Sequence, residues 1–253
     1  MFLVLSKEKI QTYIVSVLTV AILIGIANIN SVQMITTSTV DKKIPIYNVQ
    51  TNEKKIAFTI NCAWTNDDID QILEVLENNN VKLTFFIVGD WIDRYPESVK
   101  KIYEKGHEIG CHSDTHPHVS RLSKEKNLEE IQKCVEKIEK ITGNRTDLYR
   151  APYGEYNNTV INTAEENGYY TIQWNIDTLD YNGKTGTEMW SRIKDKLDNG
   201  SIILSHNGTK YTAESLDMLI KNIKNEGYEI TKVSELIYKD NYYINQNGTQ
   251  IKE

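Results

Sequence analysis

Two histidines stand four residues apart in the stretch His112-Ser113-Asp114-Thr115-His116. On a helix or a tight helical turn this spacing aims both imidazoles at one point, as a divalent metal requires. A third ligand would be a carboxylate or a thiolate, and Asp67, Asp68 and Cys62 are the candidates. His206 stands apart from the pair; a nearby carboxylate such as Asp180 would make it a proton-transfer group rather than a packing one. Asn61, Arg150, Pro152, Tyr153 and Asp177 share a further property with these residues: each falls at or just beyond the end of an apolar, strand-like segment. The three cysteines, Cys62, Cys111 and Cys134, form no CxxC and no paired framework. That argues against a disulfide scaffold, a zinc ribbon or a thiol redox enzyme.

The strand-like segments that would position these groups are 56–60, 83–88, 108–111, 147–150, 170–176, 202–205 and 228–233. Between them apolar residues recur at helical spacing: Ile69, Ile72, Leu73 and Leu76; Leu128, Ile131, Val135 and Ile138; Met189, Ile193 and Leu197; Leu216, Leu219, Ile220 and Ile223. Glycines such as Gly143 and Gly227 follow these segments, where a left-handed C-terminal cap is expected. Strands alternating with helices imply parallel pairing through right-handed crossovers. The expected class is α/β, as a distorted (β/α) barrel or an open doubly wound sheet. In such a barrel reactive groups gather where strands end, so five separate segments would converge on one mouth.

The chain has 253 residues, of which 40% are hydrophobic and 25% charged, enough for one large domain or two small ones. Its net charge is −6, and no basic block occurs, which excludes a nucleic-acid binder of the usual phosphate-neutralising kind. No charged residue lies between Lys9 and Asp41. As a helix the run 10–29 would span about 30 Å, the thickness of a bilayer core. Lys7 and Lys9 precede it as a cytoplasmic flank would. Residues 1–30 are therefore expected to be a transmembrane anchor or a signal. The anchor is preferred because Ala27-Asn28-Ile29-Asn30-Ser31 is a poor peptidase site. The anchor makes the membrane a partner, and either reading places the rest outside the cytoplasm. Residues 31–53 read as a linker, 54–238 as the functional domain and 239–253 as a polar tail.

The motifs together resemble the polysaccharide deacetylases, the NodB-homology domain of carbohydrate esterase family 4, from about residue 54 to 237. His112-Ser113-Asp114-Thr115-His116 is similar to the family's HSxxH, and Arg150-Ala151-Pro152-Tyr153 to its RxPY. The stretch 175–181 resembles one ending in Asp-Trp, with Tyr181 for the Trp, and Leu204-Ser205-His206 resembles the final LxH. The resemblance implies a distorted (β/α) barrel with a groove for a sugar polymer. It also implies a divalent metal, zinc first, on His112, His116 and a third ligand. The Tyr153 N–H would serve as oxyanion donor, and Arg150 would orient the base. His206, oriented by Asp180, would be the acid, and Leu204, Tyr181 and Pro152 would line the substrate site. An anchored, exported member resembles enzymes that remove acetyl groups from wall peptidoglycan, the spore-associated branch included. That chemistry is hydrolysis of a C–N bond other than a peptide bond.

The first motif departs from the family pattern. Where a TFDD-like stretch supplies base and metal ligand, this chain has Asn61 and Cys62, followed by Ala63 and Trp64. An amide cannot take a proton from water near neutral pH. Two functions follow: a metal-dependent deacetylase of N-acetylated wall glycan, in which Asp67 or Asp68 replaces the missing acid, or an impaired relative that binds the glycan or serves structurally.

Overall fold

The structure is a computed structural model that describes residues 6–29 and 42–253, the side chains of 22–29 excepted. The chain falls into two compact units, Met1–Asp41 and Lys42–Glu253. In the first, α1 covers Lys7–Ile29. Among the described residues no helix is long and apolar enough to cross a membrane. The expected anchor lies within them except for residues 1–5 and 30, and of the cleavage region at 27–31 residues 30 and 31 lie outside.

The second unit is built on parallel strands. From one edge to the other the order is β6 (Tyr170–Thr171), β5 (Leu148–Tyr149), β4 (Glu108–Cys111), β3 (Thr84–Ile87), β2 (Lys55–Cys62), β8 (Ile202–His206) and β7 (Ile176–Asp177), with β9 (Glu229–Thr231) joining the start of β2. The intervening helices are α2 (Ile69–Asn78), α3 (Gly89–Arg94), α4 (Pro96–Glu104), α5 (Lys124–Thr142), α6 (Asn158–Glu166), α7 (Gly186–Ile193), α8 (Thr212–Asn225) and the short α9 (Val233–Leu236). Ile69, Ile72, Leu73 and Leu76 of α2 are buried, as are Leu216, Leu219, Ile220 and Ile223 of α8, so the helical spacing does mark core faces. Ser123 caps the start of α5, accepting from the Lys126 N–H, and Gly143 ends it at φ 72°.

Strand β2 carries the alternation that builds the site. It is buried on both sides, as a central parallel strand must be. Ile56, Phe58, Ile60 and Cys62 join the core beneath the helices, while Ala57 joins a second cluster with Phe86, Leu148, Ile172 and Ile202 inside the curl of the sheet. Side chains alternate faces along a strand, so Thr59 and Asn61 share the inner face with Ala57.

The expected α/β class is found, as a half-barrel sheet of parallel strands. Two expectations need correction. The segment expected as one strand over 170–176 divides into β6 and β7, which stand at opposite edges of the strand order. Between them the chain crosses the seam: Ile172 bridges to Ile46, and the Asn175 N–H bonds to the Ile202 carbonyl. The expected polar tail forms β10 (Tyr242–Ile244) and β11 (Thr249–Lys252), and β11 pairs with β1 (Asn48–Val49) from within the expected linker. Gly200 passes so near β1 that a Cβ there would lie 1.7 Å from the Val49 carbonyl oxygen.

Candidate active site

The inner-face residues at the strand ends open into a pocket of about 460 Å³, lined by Asn61, Ala63, Trp64, His112, His116, Tyr153, Trp174, Tyr181, Leu204 and His206. Strand ends therefore do bring together most of the groups expected to meet. One side of the pocket is a proton-transfer arm. His206, the last residue of β8, donates from Nδ1 to Asp180 Oδ1 at 2.9 Å. Asp180 Oδ2 accepts from the His206 backbone N–H at 2.6 Å, from Ser205 Oγ at 2.8 Å and from Thr212 Oγ1 at 2.7 Å. Burial pushes the Asp180 carboxyl up, but His206 and the Thr212 and Ser205 hydroxyls outweigh it and hold the group below its ordinary value. A carboxylate so placed fixes the tautomer and orientation of His206.

The opposite side is built around Arg150, fully buried at the end of β5. Its Nη1 donates to Thr59 Oγ1 at 2.8 Å and to Asn61 Oδ1 at 2.9 Å, and its Nη2 to the Gln173 carbonyl at 3.2 Å. The guanidinium lies 3.9 Å over the Phe86 ring. Burial draws Arg150 down to about 9, still charged at neutral pH, yet none of its hydrogen-bond partners here is a carboxylate. With Asn61 Oδ1 committed to Arg150, the amide Nδ2 faces His112 Nε2 at 3.2 Å. His112 Nδ1 meets the Arg150 carbonyl at 2.8 Å. A carbonyl only accepts, so Nδ1 carries the hydrogen and Nε2 the lone pair. Burial, then the neighbouring His116, hold His112 well below its ordinary value, and burial lowers His116 too.

His116 completes the floor, its ring 4.9 Å from His112 and 4.5 Å from Tyr153. Tyr153 lines the pocket with a left-handed backbone at φ 57°, an uncommon conformation for a residue with a Cβ. Its ring stacks on His118, which bonds Glu155 at 2.7 Å.

The third-ligand candidates are not in this pocket. Cys62 belongs to the helix-side core, and burial, then the charge of Asp68, push its thiol well up. Asp68 is half-buried, accepting from the Gly208 N–H at 2.7 Å and Asn207 Nδ2 at 3.2 Å, and Asp67 is exposed. Pro152 is buried in the short turn Pro152–Gly154 and does not reach the pocket either. Among the described residues no three His, Cys, Asp or Glu side chains gather as a metal site. A catalytic zinc takes three protein ligands. Here two imidazoles are offered, and an N–H donor faces one of their lone pairs, so the donor set does not fit a resident zinc. Unforeseen members are Trp64, Trp174 and Ala63 on the pocket wall, Thr59 beneath Arg150, and Ser205 and Thr212 behind Asp180. Of these, Ala63, Trp64 and Ser205 stand inside the motifs without a role assigned, and Thr59 stands two residues before Asn61 and so on the same face.

A sequence profile for the family described as polysaccharide deacetylase matches residues 48–172. The chain is 37% identical over 193 residues to the uncharacterized protein YlxY of Bacillus subtilis, covering 76% of this chain and 60% of that one. It is 32% identical over 194 residues to the peptidoglycan-N-acetylglucosamine deacetylase PgdA of Listeria monocytogenes, covering 77% of this chain and 41% of that one. It thus spans less than two thirds of either relative. Among solved structures, a CE4 family pseudoenzyme from Bacillus anthracis superposes with a TM-score of 0.74 at 34% identity, over 78% of this chain and 69% of that one. A mutant of that pseudoenzyme with restored enzymatic activity superposes equally well.

Proposed function

We propose, since this chain belongs to the polysaccharide deacetylase family, that it binds N-acetylated glycan of the peptidoglycan type in the strand-end pocket and hydrolyses its acetamide slowly or not at all. The observation that carries this is the wiring of Asn61. Its oxygen is held by Arg150 and its N–H is turned to His112, so nothing at the base position can accept a proton. The acid arm is intact: His206, steered by Asp180, would donate to a departing sugar amine. The Tyr153 N–H would meet the developing oxyanion, and Leu204 and Tyr181 would border the acetyl methyl. Support for the substrate class comes from the relatives; support for impaired turnover comes from position 61 and from the likeness to a pseudoenzyme. The uncharged run after Lys9 supports a tethered, extracytoplasmic placement.

The test is acetate release from N-acetylated peptidoglycan and chitooligosaccharides by the Lys42–Glu253 unit, with added zinc and with a chelator, alongside calorimetric binding of the same oligosaccharides. Binding with little or no acetate release is expected. Rapid release by the wild type would overturn the impaired reading, and absence of binding would overturn the glycan reading.

A further inference from the structure

We propose that Trp64 is a stacking platform for a pyranose ring at the acid end of the pocket, and that Asp68 is the strap that holds it there. The inference rests on the glycan reading above. Trp64 lines the pocket with 45% of its surface exposed, its ring 5.2 Å from that of His206 at 32°. The indole therefore rests on the acid imidazole while much of it stays open to solvent. The neighbouring exposed rings are otherwise engaged. Tyr153 is stacked at 17° on His118, and Tyr181 stands edge-on to His206 with its hydroxyl bonded to Asp177. Trp64 is the bicyclic ring among these exposed aromatics and the one inclined face-on to the proton donor, and the C–H face of a sugar is the complement of its open surface.

The loop carrying this ring has no helix or strand between Cys62 and Ile69, yet its backbone is tied at successive points. The Ala63 carbonyl accepts from Arg94 at 3.0 Å. The Thr65 carbonyl accepts from Trp91 Nε1 at 3.1 Å and from Asn207 Nδ2 at 2.5 Å. Asp68 closes the set by receiving the Gly208 N–H and the Asn207 amide, the two residues that directly follow His206. Gly208, at φ 69°, packs so close that a Cβ there would lie 3.4 Å from Trp64 Cβ. Asp68 thus joins the Trp64 loop to the residues after the acid histidine, without entering the pocket. A ring fixed in advance loses less freedom when a sugar settles on it.

Calorimetric titration of the full-length protein with chitotetraose and with N-acetylglucosamine tests this. Trp64→Ala is expected to weaken chitotetraose binding about tenfold, equivalent to about 1.4 kcal/mol, and Trp64→Phe to retain most of it. Asp68→Ala should lose part of the same affinity, Asp68→Asn less, since one oxygen can still accept from Gly208. Because the strap acts through the ring, the double alanine variant should bind no worse than Trp64→Ala. Zinc affinity should be the same in Asp68→Ala as in the wild type. Unchanged chitotetraose binding in Trp64→Ala would overturn the platform. An additive loss in the double variant, or a loss of zinc affinity in Asp68→Ala, would overturn the strap. If the wild type binds neither sugar, the glycan reading itself falls, which the variants alone would not show.

Discussion

Replacing the Asn61 amide with a carboxylate changes what its neighbours experience more than it changes shape. Arg150, buried without a carboxylate partner, would gain a counter-charge at an existing 2.9 Å contact. His112 would face an oxygen in place of an N–H. Two consequences follow for Asn61→Asp. Acetate release should rise from background by about 10²-fold or more, the usual contribution of a positioned base. Zinc affinity, measured by calorimetry, should rise as well, because the donor facing His112 Nε2 becomes an acceptor that tolerates a cation. An Asn61→Asp protein with unaltered zinc affinity and no acetate release would show that position 61 is not what limits the site. In that background His206→Ala should lower release by about 10²–10⁴-fold while binding of the oligosaccharide persists. The place of Asn61 and its pairing with Arg150 were legible in the sequence, through the order of motifs. The direction in which its amide points was not, because that depends on Arg150 arriving from a strand nearly ninety residues away.

Strands and helices explain which candidates meet. Alternation along β2 sends Asn61 to the inner face and leaves Cys62 in the core cluster under the helices, a separation already implicit in two adjacent letters of a strand. Strand segments near 56–60, 83–88, 108–111 and 202–205 were readable because central parallel strands are continuous apolar runs. The break within 170–176 was not readable, since what divides it is a distant partner, Ile46, pairing with Ile172 across the seam. Elements also meet at Asp180, whose carboxylate gathers Ser205 and His206 from β8 and Thr212 from α8. Its folded-state pKa is depressed, so its stabilisation is present in full above the unfolded value of about 3.9 and is lost as pH falls through the lower, folded value. Urea midpoints followed from pH 6 downward should drop for the wild type in that acid window and stay flatter there for Asp180→Asn. At pH 7 Asp180→Ala, which strands the buried Ser205 and Thr212 hydroxyls and both N–H groups of His206, should be less stable by about 3 kcal/mol. Parallel pH profiles for wild type and Asp180→Asn would contradict this role.

Across the whole molecule, the boundary of the folded unit lies earlier than composition indicates. The segment from 42 to 53 is polar and lacks helical or strand periodicity of its own, which is why it reads as a linker. Its pairing comes from partners elsewhere in the chain. Ile46 pairs with Ile172 at the seam, Asn48 bridges to Ser201, and β1 completes a sheet with β11, in register Asn48 with Thr249 and Val49 with Gln250. Ile46 and Val49 are each 1% exposed, and Gln250 is fully buried. The closing of the half-barrel seam and the ordering of the C-terminal strands thus depend on the same few residues. A fragment spanning 51–253, which begins inside the expected linker, would expose the surfaces that Ile46 and Val49 cover. At about 1.5–3 kcal/mol for each buried side chain, the loss is roughly 3–6 kcal/mol, against a typical net stability of about 5–15 kcal/mol. Fragment 51–253 should therefore melt well below Lys42–Glu253, with the amides of 242–252 exchanging fastest with solvent. Equal melting temperatures and equal protection of β11 would show that the segment merely lies on the domain instead of completing it.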